Sequence, residues 1–161
     1  MRAVCPEDKD EVQAFLKRLS EQSRYSRFMS PLRELSPGML DRAVNPDAGR
    51  ELQLVAVCGE DPRPAIVGGA RYSAAAASTN CEFALTVADE WQGLGLARYL
   101  FETLMGTARS QGFERMEGYI LASNSRMLGL AKRLGFERVT SPEGPTVHLV
   151  RRDLTGLQHD E

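Results

Sequence analysis

Two histidines, one tryptophan and three scattered cysteines in 161 residues leave little material for several common site chemistries. Cys5, Cys58 and Cys81 are odd in number, far apart and include no Cys-x-x-Cys pair. Neither a disulfide framework nor a zinc site is expected, so the expectation is no metal and the reduced thiols of a cytoplasmic protein. His148 falls in a terminal strand pattern and is expected to be structural or exposed; His159, near the C-terminus, is expected to be inert. No apolar run approaches membrane-spanning length, and the N-terminus reaches Pro6-Glu7-Asp8 before any apolar run, which argues against a signal peptide. Neither sign of charge dominates: 20 Lys and Arg stand against 22 Asp and Glu, a formal net charge of −2. With no bulk field to draw either one, nucleic acid and membrane are not expected partners.

What is present is the composition of an ordinary folded domain, 42% hydrophobic and 26% charged, at a length that supports one core. Arg2 to Val4 predicts a first strand. An acidic turn, Pro6 to Glu11, opens a helix whose Val12, Phe15, Leu16 and Leu19 form a core stripe. A second helical region comes in two pieces, Ser23 to Ser30 and Ser36 to Val44, separated by Pro31. Leu52 to Cys58 and Ala65 to Ala74 read as strands paired across the Gly59-to-Pro64 turn, and Cys81 to Val87 as the next strand. A helix to Gly112, a strand from Met116 to Leu121, a helix from Asn124, and strands at Phe136 to Val139 and Thr146 to Asp153 follow. Hairpins first and crossover helices later predict a mixed sheet in an α+β domain. Residues 1–153 are expected to form that single domain and 154–161 a frayed tail.

The informative stretch is Trp91-Gln92-Gly93-Leu94-Gly95-Leu96-Ala97-Arg98, between the Cys81–Val87 strand and a helix. Leu96, Ala97, Leu100, Phe101, Leu104, Met105 and Ala108 recur at helical spacing and form one apolar face. A loop entering a helix presents amides without intrahelical partners and the positive end of the dipole. Gly93 and Gly95 carry no Cβ, so an anion can come close to the backbone. A plain turn has the same pattern, so the loop must be tested further. It lacks the Gly-Lys-Ser/Thr ending of a P-loop, and Arg98 stands where a dinucleotide fingerprint needs its third glycine. What remains is Gln-x-x-Gly-x-Ala, from Gln92 through Gly95 to Ala97. Downstream, Asn124 is a good N-cap, Met127, Leu128, Ala131 and Leu134 share a helix face, and Gly135 suits the left-handed C′ position before Phe136.

These two segments, in this order and at this separation, resemble the GNAT (GCN5-related) N-acetyltransferases, whose pyrophosphate loop runs Arg/Gln-x-x-Gly-x-Gly/Ala and whose last helix ends Leu-Gly-Phe. The resemblance spans nearly the whole chain and implies a mixed, mostly antiparallel sheet of about seven strands flanked by about four helices. Leu19-Ser20-Glu21-Gln22-Ser23-Arg24-Tyr25-Ser26-Arg27-Phe28, followed by Leu35-Ser36, is similar to the acetyltransferase domain of bacterial protein lysine acetyltransferases. The family likeness implies acetyl-CoA as co-substrate, its pyrophosphate on the amides of Gly93, Leu94, Gly95, Leu96 and Ala97. It implies pantetheine along Leu85-Thr86-Val87, pairing like an extra strand, and Asn124 against the pantetheine or acetyl region. Gln92 belongs to the loop motif, and Arg98, Lys132 and Arg133 are candidates for the nucleotide phosphates.

Transfer to an amine needs a proton acceptor, because an ammonium with pKa ~10.4 is not nucleophilic. Glu82 lies ten residues before Gln92, on the strand face of Ala84 and Thr86 and opposite Cys81, Phe83 and Leu85. It aligns with the catalytic glutamate implied by the lysine acetyltransferase resemblance; on the strand pattern alone it reads as a surface glutamate on a half-exposed strand. Many family members carry a tyrosine four residues before the Gly-Phe glycine, as acid for the departing thiolate; here Ala131 occupies that position. A thiol of pKa ~8.5 leaves as thiolate at a cost of roughly 2 kcal/mol at pH 7, so the loss is tolerable. Arg24, Tyr25, Arg27 and Phe28 are candidates for the acceptor groove, Trp91 is expected to pack, and Cys81 to be a core thiol. The expected partners are acetyl-CoA and a protein lysine, with a small amine as alternative acceptor, a non-catalytic acyl-CoA sensor as alternative function, and a homodimer through the final hairpin.

Overall fold

The helices start where side chains can cap them. In the computed structural model, which describes residues 1–30, 32–59 and 64–155, the chain opens with β1 (Arg2–Ala3), α1 (Lys9–Arg18), α2 (Glu21–Phe28) and α3 (Pro37–Val44). Ser20 caps α2 by accepting from the Ser23 amide at 3.1 Å, and Ser36 caps α3 by accepting from that of Met39 at 3.2 Å. Because each cap begins its own helix, the second helical region is two helices, and among the described residues the sheet is flanked by five, where about four were expected. Pro31 and residues 60–63 of the expected Gly59-to-Pro64 turn lie outside the described residues.

The remaining elements are β2 (Glu51–Cys58), β3 (Ala65–Ser73), β4 (Asn80–Val87), α4 (Leu96–Ser110), β5 (Arg115–Leu121), α5 (Ser125–Arg133), β6 (Glu137–Val139) and β7 (Val147–Asp153). They form one seven-stranded sheet in the order β1-β2-β3-β4-β5-β7-β6, antiparallel except between β4 and β5, which α4 connects. β7 pairs with both β5 and β6, so only the three-residue β6 of the last hairpin is an edge. An edge this short offers little to a second copy of the chain. Leu154, expected to begin the tail, is fully buried, and its amide donates to the Glu114 carbonyl at 2.8 Å. The packed body therefore includes Leu154, whose apolar side chain fills the core; residues 156–161, including His159, lie outside the described residues.

One face of the sheet is sealed by α4 and α5. Phe83 of β4, Phe101 of α4 and Phe136 meet with ring centroids 4.7 to 5.4 Å apart, pinning strand, helix and the end of α5 together. Gly135 (φ +89°) turns the chain out of α5 in the left-handed region that L side chains avoid, and the Phe136 amide donates to the Ala131 carbonyl at 2.9 Å. The other face carries α1, α2 and α3 over β2, β3 and the far half of β4. Pairing register puts Gln53, Arg71 and Ala84 side by side on it, and likewise Glu82, Glu117 and Arg151. Charge thus runs across a sheet whose opposite face is apolar.

Candidate active site

β4 and β5 pair at only three positions, Asn80 with Arg115, Cys81 with Met116 and Glu82 with Glu117. Both strands continue, β4 to Val87 and β5 to Leu121, without further pairing to each other. Past Glu82 the strands part, and the β4 edge from Ala84 to Val87 faces a cleft of about 750 Å³. An extended ligand chain can add to such an edge by main-chain hydrogen bonds.

The glycine loop forms one end of this cleft. Gly93 and Gly95 both have positive φ (80° and 89°), and Gly95 is the N-cap of α4. The amides of Gly93, Leu94, Gly95, Leu96, Ala97 and Arg98 donate to no oxygen among the described residues; Tyr99 is the first to do so, to the Gly95 carbonyl at 3.1 Å. Six successive free N–H groups at a helix start make an anion cradle. Of the loop residues, Gln92, Gly93, Gly95, Ala97 and Arg98 line the cleft. Leu94 points its side chain into solvent and Leu96 packs on the core, so these two offer the cleft backbone only.

Gln92 is a brace. Its Nε2 donates to the Val87 carbonyl at 3.1 Å and the Ser23 hydroxyl at 3.2 Å, tying the loop to the end of β4 and to α2. Asn124 caps α5 through Oδ1, which accepts from the Met127 amide at 3.3 Å, and lines the cleft. Leu85, Thr86 and Val87 line it too, as does Trp91, which also packs on the core. Among the cations expected for phosphates, Arg98 pairs with Glu102 at 2.7 Å and Arg133 lines the cleft, whereas Lys132 does not. Arg126 escaped the sequence reading: the second residue of α5, it lines the cleft beside Gly93 and donates to Gln92 Oε1 at 3.4 Å. Its position two residues after the cap was the available signal.

Glu82 sits at the other end, open to the cleft where β4 and β5 part. Loss of hydration against the cleft walls raises its carboxyl above the usual value, Glu117 alongside adds to the rise, and Arg27 and Arg71 oppose it. Glu117 is held by Arg151 at 3.0 Å. Tyr119 also lines the cleft, and desolvation with the nearby carboxylates raises its phenol. No tyrosine was expected there, because only strand register brings β5 beside β4. Ala131, at the family's tyrosine position, is fully buried. Cys81, on the opposite face from Glu82, is buried and its thiol is pushed up to about 12 by desolvation and then by Glu117, which suits an inert core thiol. Of the four acceptor-groove candidates, Arg27 and Phe28 line the cleft; Arg24 donates to the Leu19 carbonyl at 2.5 Å and Tyr25 is exposed, neither lining it. His148 lies on β7 beside Arg138, away from the cleft. Among the described residues, no group of three His, Cys, Asp or Glu converges to hold a metal, and no helix is long and apolar enough to cross a membrane.

An anion cradle, a free strand edge and a carboxylate meet in one cleft. Residues 13–136 match the model of the acetyltransferase (GNAT) family, and the chain belongs to that family. Family members use acetyl-CoA, and the chain is an acetyltransferase by this membership. It is 36% identical over 146 residues to acetyltransferase PA5475 of Pseudomonas aeruginosa, spanning 91% of this chain and 78% of that one. Among solved structures it resembles the GNAT domain of S. lividans PAT, with a TM-score of 0.86, 26% identity, and coverage of 94% of this chain and 88% of that one. The fold is also that of the cAMP-binding acyltransferase from Mycobacterium smegmatis (TM-score 0.65, 24% identity), where this chain matches 42% of the longer protein and 95% of its own length.

Proposed function

We propose that the protein moves acetyl from acetyl-CoA directly to a primary amine, with a protein lysine as the leading acceptor and Glu82 as general base. The observation that carries this reading is the run of free amides at Gly93–Arg98, joined by the open β4 edge to Glu82. The pyrophosphate would lie on those amides, with Arg126 and Arg133 beside it, and the pantetheine along Leu85–Val87. The thioester carbon then falls near Glu82. Glu82 takes one proton from the ammonium; the neutral nitrogen attacks the thioester carbonyl, the C–N bond forms, the C–S bond breaks, and the second nitrogen proton passes to the departing thiolate or to solvent as the amide forms. Coenzyme A leaves as thiolate. Its departure needs no acid beyond roughly 2 kcal/mol at pH 7, and holding both reactants in one cleft supplies much of the rate.

A protein acceptor is favoured by the Ser20–Phe28 sequence and by the likeness to the GNAT domain of S. lividans PAT. The uncovered sheet face bearing Glu82, Glu117 and Tyr119 also suits a lysine delivered on a larger surface. The test pairs acetyl-CoA titration with mass spectrometry of candidate protein acceptors. Acetylated lysines that disappear with Glu82→Gln support the reading. Brisk turnover of polyamines or amino acids with unmodified proteins would move the acceptor to a small amine, and binding without transfer to any acceptor would make the protein a sensor.

A further inference from the structure

A second cavity of about 310 Å³ lies under α1, α2 and α3, against β2, β3 and β4. It shares Arg27, Phe28, Ala84 and Thr86 with the donor cleft, so the two spaces meet at the β4 edge beside Glu82. Its walls are mostly apolar, from Phe15, Leu16, Met39 and Val55 among others, yet three arginines reach it: Arg27, Arg42 and Arg71. Arg71 is paired with Glu51 at 2.5 Å. Arg27 has no ion pair or hydrogen bond among the described residues; its guanidinium lies 4.7 Å from the Phe28 ring centroid. Burial and the neighbouring Arg71 push its pKa down to about 10, with Glu82 opposing. Thr86 adds a separate sign of a missing partner: its hydroxyl is buried and has no hydrogen-bond partner among the described residues. The Arg27 guanidinium is half-buried in the wall of the cavity and meets no anion among the described residues, and its planar fork suits a carboxylate.

We propose that this second cavity is a carboxylate subsite, in which Arg27, assisted by the Thr86 hydroxyl, holds an anionic group carried by one of the two substrates. The carboxylate could be the far end of a dicarboxylic acyl group on the donor or the α-carboxylate of an amino-acid acceptor. Either geometry is compatible with a space that begins beside Ala84 and Thr86. The volume holds roughly ten waters at ~30 Å³ each, so a four-carbon chain fits. The inference rests on the acyl-transfer reading and not on the protein acceptor.

The donor arm compares the Kd of succinyl-CoA with that of butyryl-CoA, its neutral counterpart in length, by calorimetry. The acceptor arm compares acetyl transfer to free amino acids with transfer to their amides, by thiol release. A carboxylate preference of roughly 10-fold or more is expected in one arm, from a charge-assisted bond, and the arm that shows it identifies the source. Arg27→Gln should abolish that preference, Arg27→Lys should keep part of it, and Arg27→Glu should invert it. Thermal unfolding checks each variant's fold, and the Thr86→Val variant gives a second route should Arg27 variants misfold, weakening the preference a few-fold. No preference in either arm, or one that survives Arg27→Gln, overturns the proposal while leaving acyl transfer intact. Failure to bind acetyl-CoA at all would instead remove the acyl-transfer reading and the subsite with it.

Discussion

The two ends of the cleft are built from different material. The loop end is backbone: six amides from consecutive residues, braced by Gln92 and set by two positive-φ glycines. The Glu82 end is side chains from distant strands and helices: Glu82 on β4, Glu117 and Tyr119 on β5, Arg27 on α2. A backbone cradle recognises what every CoA ester shares, a pyrophosphate, whatever side chains flank it. A side-chain site can differ between relatives that share the fold, so the proposed function assigns the specific chemistry to that end.

The sharpest way to break the comparison is Glu82→Gln. It should lower turnover by about 10²- to 10⁴-fold while the acetyl-CoA Kd, measured by calorimetry, stays within about twofold; equal losses in both would mean that the two ends are not separable. Gly95→Ala tests the other end. The space around Gly95 is open, so the cost is backbone strain alone at φ +89°. A strain of ~1–2 kcal/mol in that loop should weaken acetyl-CoA binding by roughly 5- to 30-fold, and unchanged affinity would show that the loop is not the cradle.

A smaller effect separates Glu82 from its neighbours. A base must be ionised, and Glu82 is raised by desolvation and by Glu117, so the rising limb of kcat/KM against pH should lie above the ordinary carboxylate range. Glu117→Gln removes a repelling charge and makes Glu82 easier to ionise, so the limb moves to lower pH. Removing Arg27 deletes an attracting charge and moves it higher; Arg71 acts in the same sense as Arg27, and Tyr119 is neutral in this range. A limb that ignores both substitutions would disqualify Glu82 as the titrating group. The least effect is expected at Cys81. In native protein a thiol reagent should modify exposed Cys58 and leave Cys81 unlabelled, and Cys81→Ala should keep turnover within about twofold; rapid Cys81 labelling with loss of activity would point to a thiol mechanism.

Local pattern was legible to the extent that it is local. Asn124 as a cap, Gly135 as a left-handed exit and the apolar face of α4 all follow from spacing within one turn or two. Leu154 was misread as tail because a lone leucine after a strand carries no period; only the carbonyl of Glu114 and the core around it show where it belongs. Tyr119 was invisible for a similar reason. Its relevance depends on β5 pairing with β4 in a register that stops at Glu82, which no window of sequence contains. Arg27 was one of four equal candidates until packing sent Arg24 to the end of α1 and left Tyr25 in solvent.

The sequence by itself determined the elements, their order and the glycine loop that presents free amides, because helix periodicity, capping and backbone conformation are set by neighbours in the chain. The tertiary structure alone decided where β4 and β5 part, which carboxylate the gap exposes, and that an unpaired arginine stands between two cavities. Those are long-range facts: register and packing bring together charges tens of residues apart, and their fields depend on the water that folding removes.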